Sequence, residues 1–297
     1  MPRAFCWLAC LFFCLRLAAE DVVFAAYNVQ NYLRMDRRVG NRNLKNAPKP
    51  ESEIEAVVKV LSTIKPDILG LVEMGDPSML EDLQQRLKAA GIDLPHSEWF
   101  QAADEIRHVC LLSRFPIVQR ASRGDISFEL NGRLVRFNRG ILDVTVEINP
   151  HYRLRIVGTH LKSRRAVEEY DEAWMRAKEA WYLRRHLDDI LKADPETNLL
   201  LFGDLNDTKN SHPVREIIGK KGAPNYMMDL WLTDSRNERW THYWKTADEY
   251  ARIDYIMVSP ALVREVRFDR SGINDSPFWN DASDHRAIYT TITPVNR

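Results

Sequence analysis

Apolar residues come in short runs bounded by turn residues, and between those runs the pattern switches to helical spacing. Residues 22–27 read as a buried strand ending at Asn28, and residues 68–72 as another ending on Glu73. Short continuous apolar runs of this kind are what a strand covered on both faces presents. From 52 to 64 the spacing of Ile54, Val57, Val58, Leu61 and Ile64 follows one face of a 3.6-residue period and predicts a helix. A second helix is expected over 78–90, stopped by Gly91, since glycine readily takes the positive φ of a helix end.

The middle of the chain is richer in strand patterns, at 108–113, 133–137, 140–148 and 154–159. A long helix is expected over 166–191, with Tyr170, Trp174, Ala177, Trp181 and Leu187 on its apolar side. Further strands are expected at 199–202, 253–258 and 287–292. Helices alternate with strands, yet many strands are joined by short turns. That combination suits an α/β fold of four layers, an α/β/β/α sandwich with two packed mixed β-sheets, better than a purely parallel sheet.

No repeat, low-complexity tract or flexible linker divides the 297 residues, so 20–297 is read as one domain. The first 19 residues differ. A basic start at Arg3, an apolar stretch over 4–15 and Ala18-Ala19 before Glu20-Asp21 have the shape of a signal peptide cleaved near Ala19. Export to the periplasm or exterior is the expectation, and a frayed amphipathic tail is the other reading. Cys6, Cys10 and Cys14 fall in this leader, which leaves Cys110 alone in the mature body. A lone cysteine excludes an internal disulfide and a cysteine-based zinc site. No membrane-length apolar run follows residue 20, no protein partner is implied, and a monomer is expected.

Charge narrows the function. The whole chain is neutral, with 42 basic and 42 acidic residues; losing Arg3 and Arg16 with the leader leaves 40 against 42, a net of −2. Bulk attraction to nucleic acid needs a basic protein, so coating or storage is excluded. An enzyme touching a few phosphates is not.

Polar residues sit where strands end. Asn28, Glu73, His160, Asp204 and Asn206 lie at or just past the ends of apolar runs, and Asp254 lies inside one. Burying a carboxylate costs several kcal/mol unless it is paired or bound to a cation. Any one of these is usually a structural hydrogen-bonder; six at comparable places point to a site. Gly203-Asp204-Leu205-Asn206-Asp207 is a tight turn that is equally a plain Asx-turn. Thr159-His160-Leu161-Lys162 sets an imidazole and an ammonium at a strand end, as a satisfied core histidine also would. Ser283-Asp284-His285 precedes the last strand, where a capping triplet is the alternative.

Taken in order, seven segments resemble the endonuclease/exonuclease/phosphatase superfamily, the group of deoxyribonucleases and exonuclease III-type enzymes. They are Tyr27-Asn28-Val29-Gln30, Leu71-Val72-Glu73, Leu111-Leu112-Ser113-Arg114, Thr159-His160-Leu161-Lys162, Gly203-Asp204-Leu205-Asn206, Arg252-Ile253-Asp254-Tyr255 and Ser283-Asp284-His285. The resemblance implies a metal-dependent in-line attack of water on a phosphoester. It assigns Glu73 as the main metal carboxylate, with Asn28 beside it and Asp284 as a further carboxylate near the ion. Hard oxygen ligands of this sort suit Mg²⁺, with Mn²⁺ as a substitute. His285 resembles the general base or the group that stabilises the charged phosphorus centre, its ring held by Asp254. Asp204 matches the residue that orients water, Asn206 a donor to a phosphate oxygen, and His160 a histidine near the leaving group.

The substrate side is read from charge and aromatics. Arg34, Arg37, Arg38, Arg42, Lys45 and Lys49 crowd a loop expected after Asn28, Arg133, Arg136 and Arg139 another stretch, and Lys162, Arg164 and Arg165 follow His160. Such clusters are either a solvated face or phosphate contacts. Arg34, Arg139 and Lys162 are the candidate phosphate binders. Thr241-His242-Tyr243-Trp244 resembles a Thr-to-Trp segment of the exonuclease III branch, and Phe278-Trp279 would stack a base, meet a lipid surface, or pack on the sheet. The resulting expectation is an exported Mg²⁺-dependent phosphodiesterase acting on nucleic acid. The alternatives are a phospholipid or sphingomyelin phosphodiesterase, a sugar or inositol phosphate phosphatase, or an inactive binding protein.

Overall fold

The computed structural model describes residues 20–295; the signal peptide expected over 1–19 lies outside them. Among the described residues two six-stranded sheets face one another. The first runs β17 (Val266–Ile273), β18 (Ile288–Ile292), β1 (Val22–Tyr32), β4 (Ile68–Met74), β6 (His108–Ser113), β5 (His96–Trp99). The second runs β13 (Met228–Asp229), β16 (Asp254–Val258), β12 (Leu199–Asp204), β11 (Tyr152–His160), β10 (Ile141–Asn149), β7 (Ile117–Arg120). Each sheet is mixed: β1–β4 and β11–β12 are parallel, and their neighbours are antiparallel. A parallel pair needs a long crossover. Helix α1 (Glu51–Ile64) lies in the first crossover and α3 (Glu172–Ala193) in the second.

Those crossovers build the outer layers. Phe24, Val72, Leu142, Ile156, Leu200, Phe202 and Ile256 fill the space between the sheets. Ala25, Tyr27, Leu69 and Leu71 pack instead under α1 and α2 (Pro77–Ala89). Val157, Leu199, Leu201 and Met257 pack under α3 and α4 (His212–Ile218). Successive residues of β1 and β12 therefore enter different cores, which is why their sequences read as unbroken apolar runs. The four-layer sandwich expected from the sequence is the observed architecture. Two glycines allow its centre to close: a Cβ on Gly70 or on Gly158, one in each sheet, would sit 2.5 Å from the ring of Phe202.

Two expectations are corrected. The long helix starts at Glu172, not at 166, because Asp171 caps it by accepting the Trp174 amide at 2.9 Å. Its apolar face is also turned: Trp174 and Trp181 are 60% and 40% exposed, whereas Met175, Ala180, Leu183 and Leu187 are buried. Arg176, Glu179 and Arg184 share that buried face and disguise it as polar. The loop expected after Asn28 is likewise not a loop. Strand β1 continues to Tyr32, and β2 (Met35–Val39) and β3 (Arg42–Ala47) form a hairpin. Two further hairpins, β8 (Ser127–Leu130) with β9 (Arg133–Arg136) and β14 (His242–Trp244) with β15 (Glu249–Ala251), decorate the sandwich. Short α5 (Pro260–Val263) and α6 (Trp279–Ala282) complete the chain. No helix among the described residues is long and apolar enough to cross a membrane.

Candidate active site

The parallel pairs deliver their C-terminal ends to one edge of the sandwich. Strands β11, β12 and β16 place His160 opposite Asp204 and Asp204 opposite Asp254 by register alone. From the facing sheet Asn28 extends its amide to this row, its Nδ2 donating to Asp204 Oδ2 at 3.1 Å across the sandwich. His285, just before β18, completes the cluster. Its Nδ1 lies 2.8 Å from Asp254 Oδ2, and its Nε2 lies 3.7 Å from Asp204 Oδ2 and 3.3 Å from Asn28 Nδ2. His160 approaches the same oxygen from the other side, Nε2 to Oδ2 3.5 Å. Asp204 is thus the hub, and its second oxygen accepts the Asn206 amide at 2.8 Å.

Local backbone geometry aims these groups. Glu73 has φ +63°, a left-handed conformation that costs a non-glycine residue energy and is kept where surrounding contacts enforce it. Here the Asn31 amide donates to Glu73 Oε2 at 2.9 Å, with Gln30 and Asn31 also left-handed. Asn206 takes φ +52°, which asparagine tolerates. Ser283 ties the two termini together: its hydroxyl donates to Asn28 O at 2.8 Å and accepts the His285 amide at 3.0 Å.

Charge is unevenly divided across the hub. Burial and then the charge of Asp254 push Asp204 up to about 7. Burial alone would depress His285, but Asp254, Asp204 and Asp284 outweigh it and raise that imidazole to about 10. His285 is therefore a cation, its Nε2–H facing Asp204, and Asn28 donates to the carboxylate. Burial, Arg139 and His285 hold His160 well below the usual histidine range, so it is neutral. Among the described residues its buried Nδ1 has no hydrogen-bond partner. One cationic and one neutral histidine flank one carboxylate, an arrangement that separates proton-holding and proton-accepting roles.

The remaining residues named from sequence fall in different places. Asn28 turns Oδ1 away to the Gln30 amide, so it aligns Asp204 through its nitrogen. Asn206 donates to Leu161 O at 3.0 Å. Asp284 is 38% exposed at the rim and lies 3.9 Å from His285. Arg139 reaches Asp104 at 3.1 Å, while its Nη1, buried beside His160, has no hydrogen-bond partner among the described residues. Lys162 is buried, its ammonium donating to Ser163 O at 3.0 Å and Arg165 O at 2.8 Å, so it braces the loop after His160. Arg34 is exposed on the β2–β3 side of the molecule and donates to Asn46 O. Arg37 and Lys49 of the same basic run are engaged by backbone carbonyls.

Three residues were given no individual role from the sequence. His242 packs at a tilt against His285, with ring centroids 4.6 Å apart and 48° between the planes. Thr241 accepts the Ile253 and Asp254 amides, each at 3.1 Å, and so anchors the start of β16. Glu179, fully buried in α3, accepts the amides of Lys162 and Asn138 and so joins the loops bearing His160 and Arg139. The one sequence signal for Glu179 was a carboxylate in helical phase with Met175, Leu183 and Leu187. Beside the cluster a cleft of about 520 Å³ is lined by Arg164, Arg165, Asn206, His242 and Trp244. Trp279 packs edge-on against Trp240 at 5.0 Å.

Residues 25–285 match the endonuclease/exonuclease/phosphatase family. Among solved structures, the chain is similar to truncated TDP2 from Caenorhabditis elegans, with TM-score 0.61 and 17% identity over 92% of this chain and 98% of that one. It is similar to the human nocturnin catalytic domain with bound sulfate, with TM-score 0.63 and 17% identity over 91% and 93%. D. rerio TDP2 complexed with a single-strand DNA product gives TM-score 0.60 at 17% identity over 92% and 99%. At these identities the likeness is one of fold. No match was found among curated protein sequences.

Proposed function

Because the chain belongs to the endonuclease/exonuclease/phosphatase family of metal-dependent phosphoester hydrolases, we propose that it is an Mg²⁺-dependent phosphodiesterase that cleaves nucleic acid. The observation that carries this reading is the Asp204 hub, a buried carboxylate flanked by a cationic and a neutral imidazole. Fixed by Asp254, the His285 cation is placed to stabilise the negative charge that develops on the transferring phosphorus. Neutral His160 stands on the opposite side of Asp204, where a leaving oxygen would depart.

Carboxylate chemistry beside the hub suits a hard divalent cation. Asp284 stands at the rim and the charge of Glu73 reaches Asp204; these two carboxylates would hold Mg²⁺, with Mn²⁺ able to replace it. Bound there, the ion would supply Lewis-acid polarisation of a phosphoryl oxygen. A nucleic-acid substrate is supported by the adjoining cleft, lined by exposed Arg165, by Arg164 in its ion pair with Asp207, and by exposed Trp244. Guanidinium groups pair with phosphates and an indole stacks on any base. The DNA product bound by the D. rerio structure points the same way.

The test is a panel assayed with Mg²⁺ and then with excess chelator: duplex DNA, single-stranded DNA, RNA, sphingomyelin, an inositol phosphate and a simple phosphomonoester. Chelator-sensitive cleavage of a polynucleotide is the expected result. Turnover of sphingomyelin or inositol phosphate alone would move the assignment to those substrates. Export, supported by the leader-like residues 1–19, is checked by the mass of secreted protein, which should begin near Glu20.

A further inference from the structure

We infer that His242, Asp284 and His285 form a site for Zn²⁺ at the rim of the cleft, and that its occupancy inhibits the enzyme. Ligand atoms of these three residues lie within 4.8 Å of one another. Asp284 is 3.9 Å from His242 Nε2 through one oxygen and 3.9 Å from His285 Nε2 through the other. Tetrahedral zinc with bonds of about 2.0–2.1 Å needs donors about 3.3 Å apart, so closure around the ion takes shifts of an ångström or so.

The site is built by backbone register. The Tyr243 amide donates to Asp284 O at 2.9 Å, and the Arg286 amide donates to Thr241 O at 2.6 Å. These bonds flank the bridge between His242 and His285. A pair so flanked is the close, non-hydrogen-bonded kind of an antiparallel ladder, with both side chains on one face. The neighbours on either side are locked: Thr241 caps Ile253 and Asp254, and Arg286 is fully buried against Asp234 at 2.8 Å. Asp254, by holding Nδ1 of His285 at 2.8 Å, turns Nε2 toward the site, as the outer carboxylate of a carboxylate–histidine–zinc arrangement does.

Donor chemistry selects the ion. Two imidazoles and one carboxylate suit a borderline transition metal far better than Mg²⁺, which prefers oxygen. The proposal rests on the functional reading above, because inhibition follows from sharing: zinc here would displace the Nε2 proton of His285 to solvent, remove the cation that faces Asp204, and take the Asp284 carboxylate assigned to Mg²⁺. Of the three ligands, only His242 is assigned neither to Mg²⁺ nor to the charge on phosphorus, so it separates the two metals.

Two measurements test this. Calorimetric titration of Zn²⁺ into the protein, with Mg²⁺ present and no substrate, should show one site that weakens at least ~10-fold in His242→Gln and in His242→Asn, as loss of a ligand or its support commonly does. In cleavage assays, read against each variant's own Mg²⁺-supported rate, the Zn²⁺ concentration for half-inhibition should rise by a similar factor. Equal zinc affinity in wild type and in a folded variant, checked by thermal melting, would overturn the site. Zinc that binds through His242 but raises turnover would overturn its inhibitory role. A protein that binds zinc through His242 yet cleaves no phosphodiester would leave the site standing and remove the phosphodiesterase assignment instead.

Discussion

Replacing Glu179 by glutamine tests how this protein accommodates a carboxyl group inside its second helical layer. The side chain is fully buried, and its two oxygens accept the Asn138 amide at 3.1 Å and the Lys162 amide at 2.6 Å. Burial pushes the group up to about 7 from an ordinary 4.5, although Arg139 and the two amides pull the other way. The protonated form is therefore favoured by folding. Its contribution to stability is complete below about pH 4.5 and is lost as pH rises through about 7, at up to about 1.4 kcal/mol per pH unit. Across pH 5 to 8 that amounts to about 2 to 3 kcal/mol. Glutamine cannot ionise, so it removes this dependence, but it turns an NH₂ toward one of the two amides and leaves that amide unpaired, at about 1 to 3 kcal/mol. In urea unfolding followed by tryptophan fluorescence, the variant should be the less stable protein at pH 5. The gap should shrink or reverse by pH 8. Other titrating groups are common to both proteins and cancel in the difference. A gap that stays constant across this range would refute the reasoning, because it would mean that Glu179 ionises at its ordinary value in the fold.

Three further outcomes are expected. Asp204→Asn and His285→Ala should each lower turnover at least ~10²-fold while far-UV circular dichroism stays native, since both groups act at strand ends outside the apolar layers. Gly70→Ala should destabilise by about 1 to 3 kcal/mol in urea unfolding, because the new Cβ meets Phe202 at 2.5 Å between two packed sheets. Changing the exposed Arg34, Arg38, Arg42 and Lys45 of the β2–β3 hairpin to serine should raise KM on DNA with little effect on kcat, and should flatten the salt dependence of cleavage. An unaltered KM and salt slope would make that hairpin a solvated face.

The layers and the polar strand ends were legible in the sequence for the same physical reason. A strand buried on both faces must be apolar throughout, so Asn28, Glu73, His160 and Asp204 stand out where such runs end, and Asp254 where it interrupts one. The central apolar strands could be located by composition alone, and their alternation with helices already implied layered sheets. Pairing was another matter. That Asp204 is the hub follows from the β11–β12–β16 register and from Asn28 crossing between sheets, contacts that join residues up to 176 positions apart. The different charge states of His160 and His285 likewise depend on which carboxylates surround each ring, which spacing along the chain does not encode. Buried charge misled the reading of α3, where Arg176, Glu179 and Arg184 lie on the inner face and two tryptophans lie outside. Arg34, Arg37 and Lys49 form one basic run in sequence, yet backbone carbonyls engage Arg37 and Lys49 while Arg34 stays exposed. Local sequence determines which residues resist burial; only the tertiary packing decides what each finds when it is buried.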